Sequence, residues 1–548
     1  MKRRIARLVM TGISFREGED AVAQYHRLRG EIVDLGVGGF IVFGGNVDST
    51  PEVIGDLAEV SPHPLVVASD LERGLGQQLE GGTVFPSQMA LGAGGIADLA
   101  FAQGWVTAVE ARAVGINLVF SPVADVLSDP TNPIIGTRAY GGAALPVADL
   151  SSAFVQGCQA WGVGATAKHF PGHGATRLDS HIELPTVDAD RATLEARDLV
   201  PFRAAVEAGV RAVMTAHVAY PALAGAETPA TLSGEILEGI LRRDLGFDGL
   251  IVTDALVMGA IVRALGPGEA AVRALEAGCD LLLASEDPVA AIDAVHAAVL
   301  SGRLSVERLE RSLARVDAFH EWTAGCGEPD GPAEGLRPDV CCLLEEQRAG
   351  GRERRTEGSS SHSTVALEIA RRGVTLLRDT GIVPCDPATY RPTRAAAFAL
   401  VEDARRVNML WLRSEINARI PGLEILVADE AATDETAARL ESAARATDCI
   451  MVAVFDDIAA WRGRAGPSER LVSMLDRLAA ACPRTVVLAF AGPGFLARAP
   501  ESCTLVCCYD GSPACQTAAV EALFGDTPME GRLPVAVPPA FAAGHRAR

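Results

Sequence analysis

Short apolar runs separated by longer amphipathic or alanine-rich stretches recur along the first part of the chain. The runs are Ile5–Met10, Gly39–Phe43, Pro64–Ser69, Ile116–Phe120, Gly164–Ala167, Ala212–Thr215, Leu250–Thr253 and Asp280–Ala284. Val147–Trp161, Asp190–Ala208 and Gly268–Ala277 carry helical spacing between them. Eight alternations of a buried strand with a helix predict a (β/α)₈ TIM-like barrel over residues 1–322. A doubly wound sheet is the alternative for the same alternation. No glycine-rich dinucleotide fingerprint follows the first run, which counts against it.

The pattern breaks at residues 323–363. Gly, Pro, Glu, Arg and Ser dominate there, from Ala324-Gly325-Cys326-Gly327 to Ser359-Ser360-Ser361, and predict a linker. Alternation resumes over 364–548 with Val374–Leu377, Ala396–Val401, Leu423–Val427, Cys449–Val454, Thr485–Ala489 and Leu505–Tyr509. These predict a second α/β domain, a layered sandwich with helices on both faces of its sheet. The fold class is therefore α/β: a barrel followed by a sandwich.

Composition changes the picture mainly by exclusion. A chain of 548 residues is long enough for two or three domains, and 49% hydrophobic residues supply ample core. A formal net charge of −21 argues against nucleic acid and against anionic membrane surfaces. Met1-Lys2-Arg3-Arg4 resembles the basic end of an export signal, but the apolar stretch after it, Leu8 to Ile13, is too short for one. No run approaches the length of a membrane span. Cys158, Cys279, Cys449 and Cys507-Cys508 sit inside apolar runs, which suits buried free thiols in a reducing compartment, and the cytoplasm is expected. Cys341-Cys342 has no second pair at zinc-ribbon spacing, so neither a metal nor another cofactor is expected.

The candidate chemistry lies just after the apolar runs, where barrel enzymes place their functional groups. Asp70 and Glu72 follow the third run, Asp125 and Arg138 the fourth, His217 the sixth and Asp254 the seventh. The fifth leads into Lys168-His169-Phe170-Pro171-Gly172-His173-Gly174 and on to Asp179-Ser180-His181. Asp179 can hold His181 by one ring nitrogen and leave the other for proton transfer. Charged donors and acceptors of this kind grip vicinal hydroxyls, which points to a sugar. A carboxylate beside a proton donor points to glycoside cleavage through a covalent intermediate. Metal-dependent hydrolysis is the rival, since Asp and His also ligate zinc, but no HExxH-like spacing supports it.

The same segments resemble glycoside hydrolase family 3, in its β-N-acetylglucosaminidase branch. The matching elements are Asp70-Leu71-Glu72-Arg73-Gly74, Gly136-Thr137-Arg138-Ala139-Tyr140-Gly141, Lys168 to His181, and Met214-Thr215-Ala216-His217 through Pro221. Further ones are Pro229-Ala230-Thr231-Leu232-Ser233 and Leu245 through Thr253-Asp254-Ala255-Leu256. Ala370 to Leu377 and Gly531-Arg532-Leu533-Pro534-Val535 resemble the family's C-terminal domain.

The resemblance implies Asp254 as nucleophile and His181 as acid/base, oriented by Asp179. It implies that Asp70, Arg138, Lys168 and His169 bind the sugar hydroxyls, with His217 and His173 lining the same substrate pocket. Two departures bear on the substrate: Arg73-Gly74-Leu75 replaces Gly-Gly-Arg, and Gln78 stands where a sugar-binding arginine is expected.

The expected substrate is an amino-sugar glycoside or a cell-wall- or chitin-derived fragment. Phosphate is an alternative acceptor to water, which keeps a phosphorylase open. A family 3 β-glucosidase also stays open, and a non-catalytic sugar-binding protein is the reading from another class. Because every catalytic candidate precedes residue 260, the second domain is expected to be dispensable for chemistry. Its Asp456, Asp457 and Asp510 read as turn or cap residues.

Overall fold

The computed structural model describes the chain apart from residues 17, 179–182, 226–227, 285–286, 330, 332–335, 351–362, 387–393, 459–461 and 548. Two compact units emerge. The first gathers Met1–Thr83, Ala97–Val126 and Ala144–His362; the second gathers Val84–Ile96, Leu127–Ala143 and Ser363–Arg548. The units are thus not divided at one point along the chain.

In the first unit, eight strands form one sheet: β1 (Val9–Phe15), β2 (Gly39–Gly44), β3 (Val66–Ser69), β4 (Leu118–Val119), β5 (Gly164–Phe170), β6 (Ala212–Thr215), β7 (Leu250–Val252) and β8 (Leu282–Leu283). Their order is β7-β6-β5-β4-β3-β2-β1-β8, and every pairing is parallel. A parallel bridge between Val252 and Leu281 joins the two ends. The result is a nearly closed barrel. Strands such as β3, β6 and β7 are buried at every residue, as parallel strands covered on both faces must be.

The seam between β7 and β8 is pinned from below by Asp280, which is fully buried. Its Oδ2 accepts from Ile251 N (3.0 Å) and from Arg242 Nη2 (2.5 Å). Its Oδ1 accepts from Ser312 Oγ (2.6 Å) and Arg315 Nη1 (3.3 Å).

Two local expectations are corrected. The first apolar run is not a strand from Ile5: Lys2–Ala6 is a helix and β1 begins at Val9. A short apolar run does not by itself separate strand from helix. Here Ile5 and Ala6 are buried, and the basic residues around them pair with acidic partners: Lys2 with Asp293 (2.6 Å), Arg4 with Glu310, and Arg7 with Asp317. Part of the segment read as a linker is also helical. Pro338–Gly350 forms a helix, with Val340 and Leu344, one turn apart, both buried. Cys341-Cys342 lies on it, and all twelve cysteines of the chain are free thiols.

The second unit is built on β9 (Thr375–Arg378), β10 (Ala395–Leu400), β11 (Ile425–Ala428), β12 (Cys449–Phe455), β13 (Thr485–Phe490) and β14 (Cys503–Cys507). The order is β11-β10-β12-β13-β14-β9, with β9 alone antiparallel. Residues two apart, Met451, Ala453 and Phe455 on β12 and Val486, Leu488 and Phe490 on β13, enter one core with Ile416 and Leu523. Asp510 is a turn cap, accepting from Ser512 N at 2.7 Å. Asp456 is not: it pairs with Arg462 at 2.8 Å, and burial pushes its carboxyl up to about 7. No described helix is long and apolar enough to cross a membrane.

Candidate active site

The C-terminal ends of the barrel strands carry two charge clusters that the fold assembles from distant parts of the chain. The first centres on Lys168, whose side chain is only 2% exposed. Its Nζ lies 2.8 Å from Asp70 Oδ1 and 2.7 Å from Glu72 Oε1. A buried ammonium is tolerated because two carboxylates face it. The arrangement holds Asp70, which is partly exposed at the mouth, in a fixed orientation.

The second cluster centres on Asp125, also fully buried. One oxygen, Oδ2, meets His169 Nδ1 at 2.7 Å. The other accepts from the peptide nitrogens of His169 (3.1 Å) and His173 (2.6 Å). Burial alone would push this carboxyl up. The His169 charge and hydrogen bond, with the His173 contacts, outweigh it and hold Asp125 below the usual carboxylate value.

Lys168 and His169 belong to β5 itself, not to the loop after it. The pairing of β5 with β6 shifts register between Ala167 and Phe170. At this irregularity the two side chains part: Lys168 reaches the residues after β3, and His169 the residue after β4. His173 follows on the same turn, its Nδ1 2.9 Å from Thr176 Oγ1. Burial, aided by the nearby His169, pushes the His173 imidazole down to about 4.

Asp254 follows β7 and is half-buried; its Oδ1 accepts from Ala255 N at 2.7 Å. It lies within electrostatic reach of His173. His217 braces the same loop: Nε2 is 3.1 Å from Ala255 O, and Nδ1 is 2.7 Å from Thr231 Oγ1. With both ring nitrogens engaged by the protein, His217 supports the Asp254 loop.

Asp70, Lys168, His169, His217 and Asp254 therefore all lie in the first unit. Arg138 lies on Leu127–Ala143, a segment of the second unit, where its Nη1 donates to Ile134 O at 2.9 Å. Asp179 and His181 fall outside the described residues.

Two residues belong to the constellation more closely than sequence reasoning assigned. Glu72 shares Lys168 with Asp70, and Asp125 orients His169. Both were visible as acidic residues at strand exits; their partners were not. Among the described residues, no group of three or more His, Cys, Asp or Glu side chains is placed to hold a metal ion.

The ends of the barrel strands thus combine fixed carboxylates, a buried lysine and an oriented imidazole, where barrel enzymes carry their chemistry. Residues 1–319 match the profile of the glycosyl hydrolase family 3 N terminal domain, and the chain belongs to glycoside hydrolase family 3.

The chain is similar to the β-N-acetylglucosaminidase/β-glucosidase of Cellulomonas fimi, with 28% identity over 540 residues, 91% of this chain and 88% of that protein. It is 40% identical over 261 residues to a β-hexosaminidase of Xylella fastidiosa strain M23, covering 46% of this chain and 76% of that one. Among solved structures, a family 3 β-N-acetylglucosaminidase from Paenibacillus sp. FPU-7 superposes with a TM-score of 0.82 at 33% identity, covering 98% of this chain and 99% of that one. A β-glucoside phosphorylase shares the fold at 24% identity, with a TM-score of 0.83 and coverage of 98% and 94%.

Proposed function

We propose that this glycoside hydrolase is a retaining exo-β-N-acetylglucosaminidase. It removes terminal non-reducing N-acetylhexosamine residues from cell-wall- or chitin-derived fragments in the cytoplasm. The observation that supports the reading is that the ends of strands of one barrel carry the Asp254 carboxylate, the Asp70–Lys168–Glu72 cluster and the Asp125–His169 pair. The names borne by the Xylella and Paenibacillus relatives supply the sugar.

In this mechanism Asp70, Lys168 and His169 bind the sugar hydroxyls. Asp254 attacks the anomeric carbon while His181, oriented by Asp179, gives its proton to the departing glycosidic oxygen. The bond from C1 to that oxygen breaks as the bond to Asp254 forms. Water then attacks C1, His181 takes its proton, and Asp254 leaves with its electron pair.

A second reading, activity on β-glucosides as well, is favoured by the double name of the Cellulomonas relative and by Gln78. Gln78 Nε2 lies 3.4 Å from Asp70 O, next to the sugar-binding carboxylate.

One panel tests both readings. Aryl N-acetylglucosaminide and aryl glucoside are compared with and without inorganic phosphate, and free sugar and sugar 1-phosphate are both measured. Release of free N-acetylglucosamine at a higher kcat/KM than glucose is expected. Sugar 1-phosphate as the main product would make the enzyme a phosphorylase, and no turnover of either glycoside would leave a sugar-binding protein.

A further inference from the structure

Asp198 has no part in the chemistry above, yet it is buried against the turn that carries the active-site histidines. It ends a π-helical turn, Leu194–Asp198, the kind of local irregularity that re-aims a side chain and recurs at functional sites. Its Oδ2 accepts from the neighbouring Arg197, through Nε at 3.0 Å and Nη2 at 2.8 Å. Its Oδ1 is buried with no hydrogen-bond partner among the described residues. Burial pushes this carboxyl up to about 6 against the pull of Arg197. A half-satisfied buried carboxyl costs stability, so its placement calls for a reason other than packing.

The turn beside it supplies one. Gly172 N donates to His169 O at 2.8 Å, closing the turn from His169. Gly172 has φ +134°, and a Cβ on it would lie 2.8 Å from Asp198 Cβ. Asp198 thus occupies the space that a side chain at residue 172 would take. Tyr220 Oη donates to Gly172 O at 2.7 Å, and Asp125 takes the His169 and His173 peptide N–H groups. The turn is held on three sides, by Asp125, Tyr220 and Asp198.

We propose that Asp198 is a positioning residue: by backing Gly172 it keeps the His169–Gly172 turn in the shape that seats His169 on Asp125. The role given to His169 rests on the reading of the site as a glycosidase; the contact of Asp198 with Gly172 does not.

The test compares Asp198→Ala with Asp198→Asn in the full-length chain. Asparagine keeps the shape, and alanine keeps the Cβ but removes the Oδ1 and Cγ that lie 3.4 and 3.5 Å from the same point at Gly172, leaving a gap behind the turn. Displacing a binding group by about 1 Å is enough to cost about 100-fold, so kcat/KM is expected to fall by about that factor in the alanine variant and to stay within about fivefold in the asparagine variant. The substrate is whichever aryl glycoside the wild type turns over, assayed well below the melting temperature of each variant.

A second readout is the low-field Nδ1–H proton resonance of His169, assigned by its loss in His169→Gln. It should shift or broaden in Asp198→Ala and persist in Asp198→Asn. Wild-type kinetics and an unchanged resonance in a folded alanine variant would overturn the proposal. Equal losses in both variants would also overturn it, because charge and not shape would then be responsible. Should the alanine variant not fold, Asp198→Ser, which keeps one of the three atoms beyond Cβ and lacks Oδ1, decides in the same way. If the wild type turns over no glycoside, the functional reading fails while the resonance comparison still judges Asp198.

Discussion

Asp125 holds His169 twice, by the ring nitrogen at 2.7 Å and by the peptide nitrogen at 3.1 Å, so one carboxylate sets both the rotamer and the backbone of this histidine. Asp125→Ala should therefore do more than remove a charge. It leaves two buried peptide N–H groups without their acceptor, each at a cost of about 1–3 kcal/mol. Loss of seating for His169 should lower kcat/KM by about 100-fold. Urea denaturation and steady-state kinetics on an aryl N-acetylglucosaminide measure the two effects. A variant as stable and active as wild type would remove Asp125 from the site.

Replacing Asp254 by alanine should abolish turnover by about 10⁴-fold or more without unfolding the protein, since Asp254 is half-buried and the backbone N–H it accepts from is that of the adjacent Ala255. His181→Ala should behave differently. A nitrophenolate departs with little protonation, whereas a sugar alkoxide needs the proton, so the loss should be within the general-acid range of about 10²–10⁴-fold for a disaccharide and clearly smaller for the aryl glycoside. Equal losses for both leaving groups would contradict the proton-donor role.

How much of this was legible in the sequence varies with the kind of signal. The eight barrel strands and the five parallel strands of the second unit were readable because buried parallel strands are continuous apolar runs. The boundary at Ile5 was not, because five apolar residues around Arg7 fit a helix as well as a strand, and the burial of Ile5 and Ala6 with the pairing of Arg4 and Arg7 to a distant helix goes with the helical start. The positions of Asp70, Lys168 and Asp254 followed from the rule that barrel chemistry lies at strand ends. The pairing of Asp125 with His169 spans 44 residues, and the contact of Asp198 with Gly172 depends on a π-helical turn; neither leaves a periodic trace in the sequence.

His173 should make the protein sensitive to acid. Its folded imidazole titrates at about 4, against 6.5 for an ordinary histidine, so the unfolded chain binds the proton more readily. Stability contributed by the neutral ring is complete above about pH 6.5 and is lost progressively down to about pH 4, a difference of up to about 3 kcal/mol. His320, also pushed down to about 4 by burial, acts in the same direction, and Asp198, pushed up, in the opposite one. The difference between wild type and His173→Gln isolates the effect. Urea midpoints at pH 7 and pH 5 should fall more steeply for the wild type, and parallel behaviour would show that His173 is not buried neutral.

Asp280→Ala should be among the most destabilising single changes in the barrel. Removing one partner of a buried ionic network leaves Arg242 uncompensated, at a cost of about 3–5 kcal/mol. The loss should appear as a lower denaturant midpoint with kcat preserved in the folded fraction. A midpoint shift under about 1 kcal/mol would mean that the seam is held by the backbone pairing alone.

Truncation after residue 322 should not yield a folded barrel. Val84–Ile96 and Leu127–Ala143 belong to the second unit: Arg532 N donates to Ala93 O at 3.0 Å, and Gly142 N donates to Pro534 O at 3.0 Å. Both segments would lose these partners. Expression of residues 1–322, followed by circular dichroism and gel filtration, checks this. A soluble, cooperatively melting fragment would show that the two segments need no support.

Lys168, gripped by Asp70 and Glu72, leaves its surroundings short of positive charge. Asp125 and Asp254 add two further carboxylates at the ends of the barrel strands. A neutral sugar feels this field weakly while it binds. As the glycosidic bond breaks, the ring carbon and oxygen acquire an oxocarbenium-like positive charge. The attraction then grows at the moment the barrier is crossed, in a mouth whose low polarisability strengthens it.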